Sequence, residues 1–171
     1  MVIWVTGLSA SGKTTLCKRF IKIFKKKIKN LVFLDGDIVR EIYGNDLGFR
    51  KKDREKQISR IQALANFLEK QSFIVIVAAL YSSKYILQKN RRIFKNYTEV
   101  YLKANMKILL KREFKNLYKK ALKKEIKNVV GVDIPWYIPK NPHLTFDMSE
   151  KQSTTEMSKK IYKKINKKLI K

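Results

Sequence analysis

Short, continuously apolar runs alternate along this chain with longer segments whose apolar positions fall every three or four residues. Residues 2–6 form the first run, rich in β-branched side chains, and it stops at Gly7 in a Gly/Ser-rich turn. A helical pattern follows, with Leu16, Phe20, Ile23 and Phe24 on one face. Residues 31–34 form the next run, bounded by Asn30 and Asp35. Asp53 reads as the N-cap of a helix that aligns Ile58, Ile61, Leu64, Ala65 and Leu68. Residues 73–79 predict the clearest strand, apolar throughout as a central parallel strand must be. Residues 83–94 read as a helix, 98–102 as a strand, and 106–125 as helical and dense in Lys. The stretch 128–142 holds all three prolines and reads as a loop, and 144–146 as a last short strand. Within 153–171, Met157, Ile161, Ile165 and Leu169 recur every fourth residue among lysines. This predicts a C-terminal helix, roughly 153–170, docked on the sheet. The stripe is too narrow, and too poor in Trp and Phe, for a membrane-surface helix.

Alternating strand and helix predict an α/β fold, a three-layer sandwich around a central parallel sheet. No repeat or linker interrupts the pattern, and 171 residues suit a single domain over 1–171. At 44% hydrophobic and 11% aromatic, the chain is not a disordered one. One Cys excludes a disulfide framework, and one Cys with one His excludes most zinc sites. Cys17 reads as a small buried residue rather than a redox switch, and His143 as a loop-surface histidine. The longest apolar run, 73–81, falls short of the roughly 20 residues a bilayer span needs. With no basic stretch before the first run, a soluble, cytoplasmic protein is expected.

Charge adds anionic partners to the picture. Forty Lys and Arg against 14 Asp and Glu leave a net charge of +26. Lys far outnumbers Arg and is spread over many segments, so a Lys-favouring genome explains the excess as well as function does. Base-reading Arg and stacking aromatics are not patterned along one stripe, so no specific nucleic-acid partner is expected.

Gly7-Leu8-Ser9-Ala10-Ser11-Gly12-Lys13-Thr14 fits G-x-x-x-x-G-K-[ST], and it lies where an apolar strand hands over to a helix. Such a turn points successive backbone N–H groups at phosphate oxygens, and the helix adds its positive end. Gly7, Ser9, Ala10, Ser11, Gly12, Lys13, Thr14 and Thr15 are therefore the expected ATP contacts. Lys13 would meet the β- and γ-phosphates, and Thr14 would hold Mg²⁺. At the end of the second strand, Asp35-Gly36-Asp37 followed by Arg40 suits phosphoryl transfer to a hydroxyl. That chemistry needs one carboxylate by the attacking oxygen and one by the metal, and a cation gripping the acceptor. Taken alone, Asp-Gly is also ordinary turn chemistry.

These motifs, with Asp46-Leu47-Gly48-Phe49, Asp53-Arg54, Leu117-Tyr118-Lys119-Lys120-Ala121, Gly131 and Asp133, resemble the adenylylsulfate kinase family in order and spacing over residues 2–147. The resemblance implies a P-loop kinase fold, usually a homodimer, that moves the γ-phosphate of MgATP to the 3′-hydroxyl of adenosine 5′-phosphosulfate. It implies Asp37 as the carboxylate that orients or deprotonates that hydroxyl, with Lys13 and Asp35 as catalytic partners. Thr14 and Asp35 stand on the metal side. Arg40, Arg54, Gln57, Leu80, Ser82, Val129, Val130, Gly131, Val132 and Trp136 are the expected acceptor contacts, and the resemblance implies Phe49 as one of two rings around the acceptor base. Arg112, Lys115, Lys119 and Lys120 fall in what resembles a mobile basic lid over ATP, roughly 112–135.

Departures cluster on the acceptor side. Where the family has Phe-Thr-Gly-Ile-Asp, this chain reads Val129-Val130-Gly131-Val132-Asp133, which removes the second ring. By analogy with nucleic-acid stacking, that costs about 1–3 kcal/mol. Ile134-Pro135-Trp136-Tyr137 replaces Ser-Pro-Tyr-Glu, so Trp136 can offer another stacking surface. Leu80-Tyr81-Ser82-Ser83 lacks the usual proline, and Gln57 stands for Asn. Two acceptors fit this pattern. One is adenylyl sulfate with a drifted pocket. The other is cytidine diphosphoramidate, used by kinases similar to this family that serve phosphoramidate decoration of surface polysaccharide. The clustering of changes around one ligand favours the second.

Overall fold

The structure is a computed structural model that describes residues 1–113 and 116–169, with side chains to residue 166. Five parallel strands lie in the order β2-β3-β1-β4-β5. They are β1 (Val2–Thr6), β2 (Leu31–Asp35), β3 (Ile74–Ala79), β4 (Tyr97–Lys103) and β5 (Leu144–Asp147). The helices are α1 (Lys13–Phe24), α2 (Gly36–Ile42), α3 (Lys51–Lys70), α4 (Lys84–Ile93), α5 (Met106–Arg112), α6 (Leu117–Leu122) and α7 (Thr154–Leu169). β1 is central, with Val2 opposite Val75 of β3 and Tyr97 of β4. Successive side chains of a strand point to opposite faces, so residues 2–5 of β1 and all of β3 are apolar and fill two cores. Ile3, Val5, Ile74, Ile76 and Ala78 pack with α1 and α7. Val2, Trp4, Val75, Val77 and Ala79 pack with residues of α3 and α4.

The C-terminal helix docks as the four-residue spacing predicts. Met157, Ile161 and Ile165 are buried against α1, and Tyr162 stacks on Phe24 at 4.3 Å. The side chain of Leu169 lies outside the described residues. Cys17 is also fully buried, which pushes its thiol well above the ordinary range and keeps it inert. Among the described residues, no helix is long and apolar enough to cross a membrane.

Four local expectations are corrected. Helix α3 begins at Lys51 after Arg50, and Asp53 sits in its first turn rather than at the N-cap. There its carboxylate still favours the positive helix end. Residues 36–42 form a short helix, α2, because the Asp35 side chain accepts the Asp37 N–H at 3.0 Å. The Lys-rich stretch 106–125 breaks into α5 and α6. Glu113 turns back to accept the N–H groups of Tyr118 and Lys119, and this caps α6. His143 is tied to β4 rather than standing on a loop surface. Its Nδ1 accepts the Glu99 N–H at 3.0 Å, and its own N–H donates to the Glu99 carbonyl at 2.9 Å.

Candidate active site

In an open α/β sheet, ligands sit beyond the carboxyl ends of the strands, where strand order reverses. Here that place is the turn after β1. Gly7 is pressed between chain segments. A Cβ there would lie 2.7 Å from Ser11 Oγ and 2.8 Å from the Leu102 carbonyl oxygen. Ala10 holds a left-handed backbone at φ 59°, and Gly12, at φ 96°, is the N-cap of α1. The first N–H groups of a helix have no intrahelical partner, so α1 offers its amides and its positive end to an anion. Lys13 Nζ donates to the Leu8 carbonyl at 2.8 Å. Burial lowers the Lys13 ammonium to a pKa of about 8, although the charges of Asp37 and Asp35 pull the other way.

That value carries a testable sign. Bound phosphates stabilise the ammonium, so its pKa is higher in the complex than in the free protein. Nucleotide affinity is therefore level below pH 8 and falls as pH rises above it. Calorimetry at pH 9 in two buffers of different ionisation heat should show net proton uptake on nucleotide binding. Equal heats in both buffers would remove Lys13 from the phosphate site.

Asp35 and Asp37 stand across from this turn because α2 begins at the end of β2. Thr14 Oγ1 donates to Asp35 Oδ2 at 2.7 Å, which places a hydroxyl and a carboxylate side by side. Such hard oxygen donors suit Mg²⁺, which binds through one or two protein oxygens together with phosphates. Asp37 is exposed on the cavity wall.

The far end of the cavity is built around Phe49. Arg40 lies 4.9 Å and Arg54 5.4 Å from its ring centroid. Arg40 also donates to the Leu47 and Gly48 carbonyls, and Arg54 to those of Phe49 and Asn128. A paired Asp46–Arg60 contact, 2.6 Å at each oxygen, fastens the same loop to α3. Two guanidiniums beside one ring concentrate positive charge at this end of the cavity. Burial and then the Arg40 charge lower the Arg54 pKa, though a guanidinium stays charged regardless. Gln57 is buried beside them, its amide nitrogen donating to the Gly36 carbonyl at 3.0 Å while its oxygen has no partner.

These groups share one cavity of about 930 Å³. Ser9, Ala10, Gly12, Lys13, Thr14, Thr15, Asp35, Asp37, Arg40, Phe49, Arg54, Gln57, Leu80 and Arg112 all line it. Other expected contacts stand elsewhere. Gly7 and Ser11 are buried beneath the loop they shape. Lys119 and Lys120 point to solvent on α6, and Lys115 lies outside the described residues. Ser82 is buried, with its hydroxyl unpartnered. Val129 and Val130 are withdrawn into apolar clusters, because aliphatic side chains gain more by joining a core than by facing solvent. Gly131, Val132 and Trp136 border a separate cavity of about 340 Å³ behind Leu8, and Trp136 Nε1 donates to the Leu80 carbonyl.

Sequence reasoning missed one wall. Met148, Gln152, Thr154 and Met157, from β5 to α7, close the cavity opposite Lys111 and Arg112. Arg112 bridges the two sides, donating to the Met148 carbonyl at 3.1 Å. The gap between Phe146 and the stripe of α7 was the available signal, since a chain returning to the sheet must cross the open strand ends.

Residues 1–147 match the family described as adenylylsulphate kinase. A cytidine diphosphoramidate kinase of Campylobacter jejuni is 40% identical over 164 residues, covering 96% of this chain and 95% of that one. An adenylyl-sulfate kinase of Rippkaea orientalis is 36% identical over 165 residues, covering 96% and 91%. Among solved structures, the Mycobacterium tuberculosis APS kinase CysC in complex with AMPPNP and APS superposes with a TM-score of 0.85. It is 28% identical, over 95% of each chain.

Proposed function

The chain belongs to the adenylylsulphate kinase family, and from that premise we propose that it transfers the γ-phosphate of ATP to the 3′-hydroxyl of cytidine diphosphoramidate. One observation carries the reading. The triphosphate-binding turn and the two guanidiniums face each other across one cavity, with Asp37 on its wall. A donor in the turn and a nucleotide anchored by its 5′ anion at Arg40 and Arg54 would meet near that carboxylate. Lys13 and the α1 amides hold the donor phosphates. Thr14 and Asp35 would hold Mg²⁺, which when bound offsets phosphate charge. Asp37 accepts the hydrogen bond of the attacking hydroxyl and takes its proton as the new oxygen–phosphorus bond forms and the bond from the γ-phosphorus to the β–γ bridging oxygen breaks, leaving ADP in the turn. Lys111 and Arg112 line the same cavity and would place positive charge beside the donor phosphates.

The acceptor half rests on what the pocket lacks. Phe49 has both guanidiniums beside its ring, while Val129, at the position of the family's second ring, is buried at 3% exposure. A clamp with one ring suits a smaller base. The 40% relative carries the cytidine name over nearly its full length. Adenylyl sulfate is the second reading, favoured by the relatives named for it at 34–37% identity. The family resemblance also leads us to expect a cytoplasmic homodimer.

Phosphorus NMR of the product, with each acceptor offered separately with MgATP, tests the proposal. Turnover of cytidine diphosphoramidate at least about tenfold above adenylyl sulfate, a preference of about 1.4 kcal/mol, supports it. The reverse preference assigns the protein to sulfate activation, and the proposed acceptor falls.

A further inference from the structure

The phosphate-binding turn is held from outside by the helix expected to move over it. Tyr118 on α6 is fully buried, and its hydroxyl donates to the Ser9 carbonyl at 3.3 Å. Leu8 and Ala10, on either side of Ser9, pack against the cluster formed by Tyr118, Leu109, Ala121 and Val129. Glu113 fixes the start of α6 by accepting the Tyr118 N–H with both carboxylate oxygens, at 3.0 and 2.9 Å. Three consecutive residues of the turn thus rest on Tyr118 and the apolar cluster around it.

A trans peptide points its carbonyl and its following N–H in opposite directions. Fixing the Ser9 carbonyl toward Tyr118 therefore aims the Ala10 N–H the other way, toward the cavity that Ser9 and Ala10 line. Ala10 needs this support. At φ 59° it occupies a left-handed conformation that L-residues disfavour, and it persists only where surroundings impose it. We infer that Tyr118 is a positioning residue for the donor: its hydroxyl sets the Ser9–Ala10 peptide so that the Ala10 amide is presented to the nucleotide phosphates. Stretch 117–129 then acts as a fixed buttress of the phosphate site. Burial raises the phenol to about 12, so the donor proton stays in place over the working pH range.

The inference rests on the donor half of the function proposed above, and its test uses no acceptor. Tyr118→Phe keeps the ring that fills the cluster and deletes the hydroxyl. Calorimetry with Mg²⁺ and a non-hydrolysable ATP analogue should show the dissociation constant rising about three- to tenfold, as loss of one hydrogen bond implies. Inorganic tripolyphosphate, which carries phosphates and no base, should weaken by the same factor. The melting temperature should fall by no more than about 5 °C. Unchanged analogue affinity would overturn the assignment. So would a loss absent with tripolyphosphate, or a melting temperature lowered by more than about 5 °C, which would mark Tyr118 as packing alone. A wild-type protein that fails to bind the analogue would instead overturn the donor reading. An error in the acceptor base would leave both measurements untouched.

Discussion

Asp37→Asn is expected to lower turnover about 10³-fold, the scale of losing a positioned general base, with MgATP affinity within about threefold of wild type. Asparagine keeps the size and one hydrogen-bonding oxygen of the side chain. It gives up the charge and the capacity to take a proton. Little else depends on the Asp37 carboxylate. The contact that starts α2 uses the Asp37 backbone N–H, donated to Asp35 at 3.0 Å, and it survives the change. One secondary effect follows from charge. Asp37 helps keep the Lys13 ammonium protonated, so the fall of ATP affinity with rising pH should begin at a lower pH in the variant. Steady-state kinetics with both substrates, with calorimetric ATP binding, separates the two effects. Turnover within a fewfold of wild type would remove Asp37 from the proton-transfer role.

Gly7→Ala is expected to cost about 3 kcal/mol of stability, or about 10 °C in melting temperature, and to abolish measurable nucleotide binding. The added Cβ meets two atoms below 3 Å. Ser11 Oγ can rotate away. The Leu102 carbonyl cannot, because β4 is held between β1 and β5. Relief has to come from the turn itself, which displaces the peptides that face the phosphates. Thermal melting and calorimetry check both halves, and a variant with wild-type melting and affinity would refute the packing argument.

The parts of this molecule legible in its sequence are those fixed by local pattern. Residues 2–5 and 73–79 are apolar at every position because both faces of β1 and β3 are covered. The turn from Gly7 to Thr14 is legible because phosphate chemistry dictates both its glycines and its lysine. Asp35 and Asp37 were visible as chemistry, but α2 was not, since seven residues carry too little periodicity to separate a helix from an Asp-Gly turn. The break between α5 and α6 depends on one carboxylate folding back. Composition alone does not reveal such a contact. Val129 illustrates a different limit. Its replacement of an aromatic ring could be read, whereas its burial depended on what α6 packs against. The wall from Met148 to Met157 joins residues more than a hundred positions from the phosphate turn, and a linear reading has no term for that distance.

The order β2-β3-β1-β4-β5 also has a consequence in time. The first strand of the chain is the middle strand of the sheet. Its neighbours enter only with Val75 and Tyr97, and the last strand pairs at Leu144. Every contact that builds the centre of the sheet therefore closes a long loop, which places this chain among slow folders. While the ribosome is still making residues 30–70, an apolar β1 has been synthesised with no strand to pair with, and it stays exposed to aggregation until β3 arrives. The phosphate-facing turn is thus attached to the segment that most needs protection during synthesis. A pulse-labelling experiment on the nascent chain should find the β1 amides protected only after β3 and β4 have emerged.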